Sequence, residues 1–133
     1  MQQIVYLSIE ENNVVITTQT DRYSLPVSVG KLFLHDVPDE CEWEQAIILI
    51  EDMISSVQKY IPPQAELIVQ DELLRPLAPQ GVLYRDHLER VFQYTAGYQS
   101  MPDNLSNSGE IKGHLLFMRE WLHHCGFERA KLD

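Results

Sequence analysis

The chain has 133 residues, 44% of them hydrophobic and 23% charged, with 10 Lys and Arg against 20 Asp and Glu for a net charge of −10. That balance is globular rather than disordered, and no apolar run approaches the ~18 residues that span a membrane. The length suits one domain with a core of its own, and a surface of this sign repels phosphate backbones.

The acids are unevenly spread. Residues 1–60 hold 10 acids and 3 bases, and 36–52 hold seven acids (Asp36, Asp39, Glu40, Glu42, Glu44, Glu51, Asp52) with no Lys or Arg. Solubility and helix capping account for such a run without a ligand. Cys41 and Cys125 form no CxxC and are expected to be reduced and partly buried. The opening MQQIVYLSIEENN has neither the basic start nor the long apolar stretch of a signal peptide, so the expected compartment is the cytoplasm.

In chain order, QIVYLSI (3–9) and VVITT (14–18) are rich in β-branched and aromatic residues. They flank the polar turn EENN and predict a β-hairpin. RYSLPV (22–27) could extend it to a three-stranded meander, with Pro26 then putting the end of the third strand at an edge or a bulge. DECEWEQAIILIEDMISSVQKY (39–60) is a helix. Asp39 and Glu42 fit a capping box, Trp43, Ile47, Ile50, Ile54 and Val57 form the apolar stripe with Ala46 and Met53 beside it, and the prolines of YIPPQ end it. Trp43 and Ile47 are therefore expected in the core.

AELIVQ (65–70) reads as a short buried strand and RPLAPQG (75–81) as a loop. RDHLERVFQYTAG (85–97) is a second helix, with Asp86 and Glu89 as a capping box and Gly97 just past its end. A polar connection (98–109) leads to a third helix (109–125) capped by Ser108, whose stripe is Ile111, Leu115, Met118, Leu122 and Cys125. The expectation is a single α+β domain over 1–133, ordered β-β-β-α-β-α-α: an N-terminal hairpin or meander, then a helix, a further strand and two C-terminal helices, with one layer of helices packed on a mixed sheet.

The last helix ends in HHCG. His123 and His124 fall in its final turn, where the negative end of the helix dipole favours them. Gly126 suits the left-handed position, with Phe127 packing back on Leu122 in a Schellman stop, and Cys125 faces inward. Adjacent helical residues diverge by about 100° and do not share an ion, and His114 lies ~16 Å back along the axis from Cys125. Glu120 and His124, at i and i+4, are the pair that could supply two metal ligands; otherwise neither metal nor cofactor is expected. No G-x-S-x-G elbow occurs, and the glycines at 30, 81, 97, 109, 113 and 126 form no phosphate-cradling motif.

The run IVYLSIEENNVVITTQTDRYSLPVSVGKL resembles the opening strands of LytTR-type DNA-binding domains: apolar strand, polar turn, second strand, then a "y.l" and a "kL". That resemblance would imply DNA binding, but it covers only about 30 residues and stops at the acidic segment 36–52. The order strand–strand–strand–helix–strand is also similar to the opening of ribonuclease H-like folds. Those nucleases hold two magnesium ions on carboxylates of the first strand, first helix and fourth strand. The corresponding candidates here are Glu10, Glu44 and Asp71, and the first-strand Asp of that family is absent.

The function expected from the sequence is a small acidic accessory or regulatory module that binds another protein, a second copy of itself included, with nucleic acid and membrane unlikely partners. Leu116, Phe117 and Trp121, apolar but off the main stripe of the last helix, are the candidates for a partner-covered face or for cover by the rest of the domain. The competing class is a divalent-metal-dependent hydrolase or nuclease, active or degenerate, built on Glu10, Glu44 and Asp71.

Overall fold

The structure is a computed structural model, and it describes residues 3–98 and 105–133. The strands are β1 (Ile4–Ile9), β2 (Val14–Thr17), β3 (Arg22–Leu25), β4 (Glu66–Gln70), β5 (Val82–Tyr84) and β6 (Arg129–Leu132). The helices are α1 (Glu40–Ser55), α2 (Arg85–Tyr98) and α3 (Gly109–His124). One mixed sheet takes the order β3-β2-β1-β4-β6-β5. The meander β1–β3 is antiparallel; β4 joins β1 in parallel, β6 joins β4 in parallel, and β5 closes the far edge antiparallel to β6.

Alternation along the strands decides which face is covered. Val5 and Leu7, Val14 and Ile16, Leu25, Leu67 and Val69, Leu83 and Ala130 point one way and join the buried core with residues of all three helices. Tyr6, paired with Thr17 on one side and Ile68 on the other, points the opposite way and is 48% exposed. The helices thus form a single layer on one face.

The caps follow the local sequence. Asp39 accepts a hydrogen bond from the Glu42 amide at 2.8 Å, and the Glu42 side chain returns to the Asp39 amide at 3.4 Å, completing the box. The Ser108 hydroxyl accepts from the Ile111 amide at 3.2 Å. At the end of α3, Gly126 has φ +74° and the Phe127 amide donates to Leu122 O at 2.9 Å, the long bond of a Schellman stop. Trp43 is buried, edge-on to Phe33 and Phe92, whereas Ile47 is only partly covered at the margin of the stripe.

The α+β class with one layer of helices on a mixed sheet is as expected, and two short strands, β5 and β6, add to the expected order. Four finer expectations are corrected. Helix α1 stops at Ser55, with a separate 3-10 turn over Gln58–Tyr60. Asp86 and Glu89 make no capping box: α2 begins at Arg85, directly after β5, and Glu89 pairs with Arg119 instead. Gly97 lies inside α2 rather than past its end. Leu116, Phe117 and Trp121 are fully buried by the domain itself, so they present no surface to a partner. Residues 99–104 of the polar connection 98–109 lie outside the described residues.

The burial of α3 explains its off-stripe apolar residues. It packs against α1, α2 and the segment around Val29–Lys31, and a helix covered on several sides carries apolar side chains around most of its circumference. Two glycines let the 29–36 segment lie against it. A Cβ on Gly113 would fall 2.1 Å from Val29 O, and one on Gly109 would fall 2.9 Å from His35 O. Lys112, also fully buried, is anchored by its ammonium on Asp36 O, while the Asp36 carboxylate accepts from the Gly109 amide. Burial holds the Lys112 ammonium below its ordinary pKa, partly offset by the Asp36 charge.

Candidate functional site

Parallel sheets place ligands beyond the carboxyl ends of their strands. Here β1 and β4 end side by side at a cleft of about 410 Å³ lined by Ser8, Glu10, Gln70, Asp71, Glu72 and His114. Asp71 is the first residue after β4, and His114 faces it from α3. Asp71 Oδ2 lies 2.9 Å from His114 Nδ1, and Asp71 Oδ1 accepts from the Leu73 amide at 3.1 Å. Both residues are buried. A carboxylate on Nδ1 fixes the imidazole with its proton there and leaves Nε2 as the free acceptor. A Cβ on Gly30 would lie 3.1 Å from Glu110 Cγ and 3.6 Å from Nε2, so the glycine lets the Glu110 side chain and the imidazole lie close to the 29–31 segment.

Of the three carboxylates named from the sequence, Glu10 and Asp71 line this cleft, and Glu44 stands exposed on α1, past its first turn. The three do not come close enough to share an ion. Among the described residues, the group that does is Glu51, Glu120 and His124. The i, i+4 pair Glu120 and His124 therefore meets, at 2.9 Å, and gains Glu51 of α1 at 3.2 Å. Sequence gave no pointer to Glu51, which reads as part of the solvated side of α1, nor to the pairing of Asp71 with His114 across 43 residues. A histidine inside an otherwise apolar helical run was the available signal for the latter.

Beside this second group, Arg119 bridges α3 to α2. Its Nε and Nη2 reach the Glu89 carboxylate at 2.5 and 3.1 Å, its Nη1 reaches Glu120 at 2.7 Å, and the guanidinium stacks over Phe92 at 4.1 Å. The hydrogen bond from Arg119 leads in holding the Glu89 carboxyl below its usual range. The three residues of HHC diverge: His123 lines a surface cleft with Arg85, Glu89 and Arg119, His124 turns to Glu120 and Glu51, and Cys125 is half-covered, its thiol pushed up to about 12 by burial.

No protein-family model matches the chain, and no curated protein matches it in sequence. Solved structures do. The PPX-GPPA enzyme of Aquifex aeolicus superposes with a TM-score of 0.78 at 14% identity, over 98% of this chain and 53% of that one. The chain has the fold of about half of a Ppx/GppA phosphatase. The type II variant of the Aquifex aeolicus Ppx/GppA phosphatase (TM-score 0.78, 13% identity, 99% of this chain, 53% of that one) and an exopolyphosphatase from Cytophaga hutchinsonii (0.72, 10%, 99%, 53%) give the same result. The likeness is one of fold, and this chain spans about half the length of each of those proteins. No helix among its described residues is long and apolar enough to cross a membrane.

Proposed function

We propose that this chain is a non-catalytic counterpart of the phosphatase half it resembles, and that it works by binding another protein. One observation carries this reading: the cleft at the strand ends is equipped to repel phosphate. The ionisable groups lining it are Glu10, Asp71, Glu72 and His114, with no Lys or Arg among them, and the Arg75 guanidinium beside it is already taken up by Glu72 in two hydrogen bonds of 2.8 Å. Phosphate recognition draws on backbone N–H groups in glycine-rich turns, on Arg or Lys, or on a metal ion. The β1–β2 turn, Glu10-Glu11-Asn12-Asn13, has no glycine, and the Glu10 amide is already spent on Asn13 O at 2.9 Å.

The surface this reading gives to a partner is the uncovered sheet face. Helices close only one side, and the other presents Tyr6, Ile68 and Tyr84, with the Lys131–Glu66 ion pair among them at 2.6 Å. A half-apolar sheet face is ordinarily covered, and an apolar segment flanked by charge would suit this one. The test is retention of a partner on the immobilised chain in lysate of its own source, compared with Tyr6→Arg/Ile68→Lys and, as a control on the helical side, Glu44→Arg. The reading expects one protein held by the parent and by Glu44→Arg but lost by the sheet-face variant; equal retention by all three contradicts it.

One observation favours a second reading, a divalent-metal-dependent hydrolase: Glu10 and Asp71 share the cleft. On that reading Asp71 would leave His114 to hold a metal ion, and any phosphate release would vanish in Asp71→Asn.

A further inference from the structure

The C-terminal end of α3 carries a group that neither reading uses. We infer that Glu51, Glu120 and His124 form a site for one divalent transition-metal ion of the zinc class, joining α1 to α3. His124 Nε2 lies 2.9 Å from Glu120 Oε2 and 3.2 Å from Glu51 Oε2. An imidazole nitrogen carries at most one hydrogen, so it cannot make straight hydrogen bonds to both carboxylates. A single ion about 2.0–2.2 Å from each atom satisfies all three, and tetrahedral ligands at that radius stand about 3.3–3.6 Å apart. The two spacings to His124 Nε2 therefore open by roughly 0.1–0.7 Å, and the three ligand atoms already lie within 4.8 Å of one another.

The arrangement is held in place before any ion arrives. The Glu120 side chain is 4% exposed, and its other oxygen is fixed by Arg119 Nη1 at 2.7 Å, which leaves Oε2 facing His124. His124 follows one helical turn later, and its carbonyl accepts from Gln58 Nε2 at 2.7 Å. Glu51 is the most exposed of the three, with a side chain 43% exposed, so this side of the group faces solvent. Arg119 is shared between Glu89 and the far oxygen of Glu120, so Glu120 Oε2, the Glu51 carboxylate and the negative end of the α3 dipole face a cation. One imidazole with two carboxylates suits zinc and its neighbours in the first transition row, whereas magnesium and calcium seek more oxygen ligands. The site is separate from the cleft: His114 lies ten residues earlier on α3, about 15 Å along the axis.

The test uses the full chain, stripped of metal and free of any affinity tag, titrated with zinc chloride by calorimetry and then melted. One zinc per chain is expected, and at about a hundredfold excess over Kd the melting temperature should rise by roughly 5–10 °C. His124→Gln should abolish the binding and Glu51→Gln weaken it about tenfold or more. His35→Gln, which alters an exposed histidine paired with Glu42, should leave it unchanged. Substitution of cobalt into the parent gives a readout that needs no variant: a spectrum with nitrogen and oxygen ligands only is expected. A thiolate-to-cobalt band, which would place the ion on Cys41 or Cys125, overturns the site. So does zinc binding of equal strength in the His124→Gln/Glu51→Gln double variant, or no binding by the parent below about 100 µM.

Discussion

Replacing Gly113 by Ala tests how closely the 29–36 segment lies on α3. In the middle of an exposed helix this change ordinarily stabilises by up to about 1 kcal/mol, because alanine loses less backbone entropy than glycine. At Gly113 the new Cβ would meet Val29 O at 2.1 Å and Val29 C at 3.2 Å, both backbone atoms of the crossing segment. Carbon and oxygen come to rest about 1 Å farther apart than that, so the segment must lift from the helix. Lifting it loosens the Asp36 carboxylate from the Gly109 amide, a bond of 2.9 Å, and the buried Lys112 from its carbonyl. Overpacking of this kind costs about 1–3 kcal/mol, and a buried ammonium left without its acceptor costs a similar amount again. Set against the propensity gain, a net loss of roughly 2–3 kcal/mol is expected. Urea unfolding reads it as a midpoint lower by about 1 M or more. Gly97 is the internal control, since a Cβ there meets nothing within 4 Å; Gly97→Ala should stabilise by a few tenths to 1 kcal/mol. A Gly113→Ala protein as stable as its parent would refute the close crossing and with it the account of why α3 carries glycine there.

Gly126→Ala should destabilise by about 1 kcal/mol in the same urea assay, because φ is +74° at that position. Glu89 has its folded pKa depressed below the ordinary 4.5, first by the Arg119 hydrogen bond. Its contribution is therefore fully present above about pH 4.5 and is lost as pH falls through the folded pKa. Glu89→Gln should be less stable than the parent at pH 7, and the two should converge in acid; a gap that widens below pH 4 contradicts the sign. Native labelling with a thiol reagent at pH 8 should modify the exposed Cys41 quickly and leave Cys125, whose thiol is pushed up to about 12, until the chain unfolds.

Local chemistry made much of the fold legible. Asp39 with Glu42, Ser108 and Gly126 each announce a helix boundary through neighbours within four residues, the stripe of α3 shows its period, and β1 and β2 show themselves by β-branched and aromatic residues on either side of a polar turn. What lies beyond that range was not legible. β6 is four residues, Arg-Ala-Lys-Leu, and holds its place between β4 and β5 by pairing with strands far away in the chain. β5 is three residues long and follows two left-handed residues, Gln80 and Gly81. Leu116, Phe117 and Trp121 signalled that α3 is covered on more than one side, but only packing reveals that α1, α2 and the 29–36 segment do the covering. The two polar groupings have the same character. Asp71 meets His114, and Glu51 meets Glu120 and His124, because strand ends and helix faces pack together, and no spacing along the chain encodes that.

The most direct measurement of the central claim is orthophosphate release from inorganic polyphosphate, followed with magnesium or manganese present, for the parent and for Asp71→Asn. A sheet fold whose cleft presents Glu10 and Glu72 to an incoming phosphate chain, with Asp71 buried behind them against His114, should give no release above the buffer rate in either protein. Sustained release by the parent that disappears in Asp71→Asn would contradict the account and establish the cleft as a working hydrolase site.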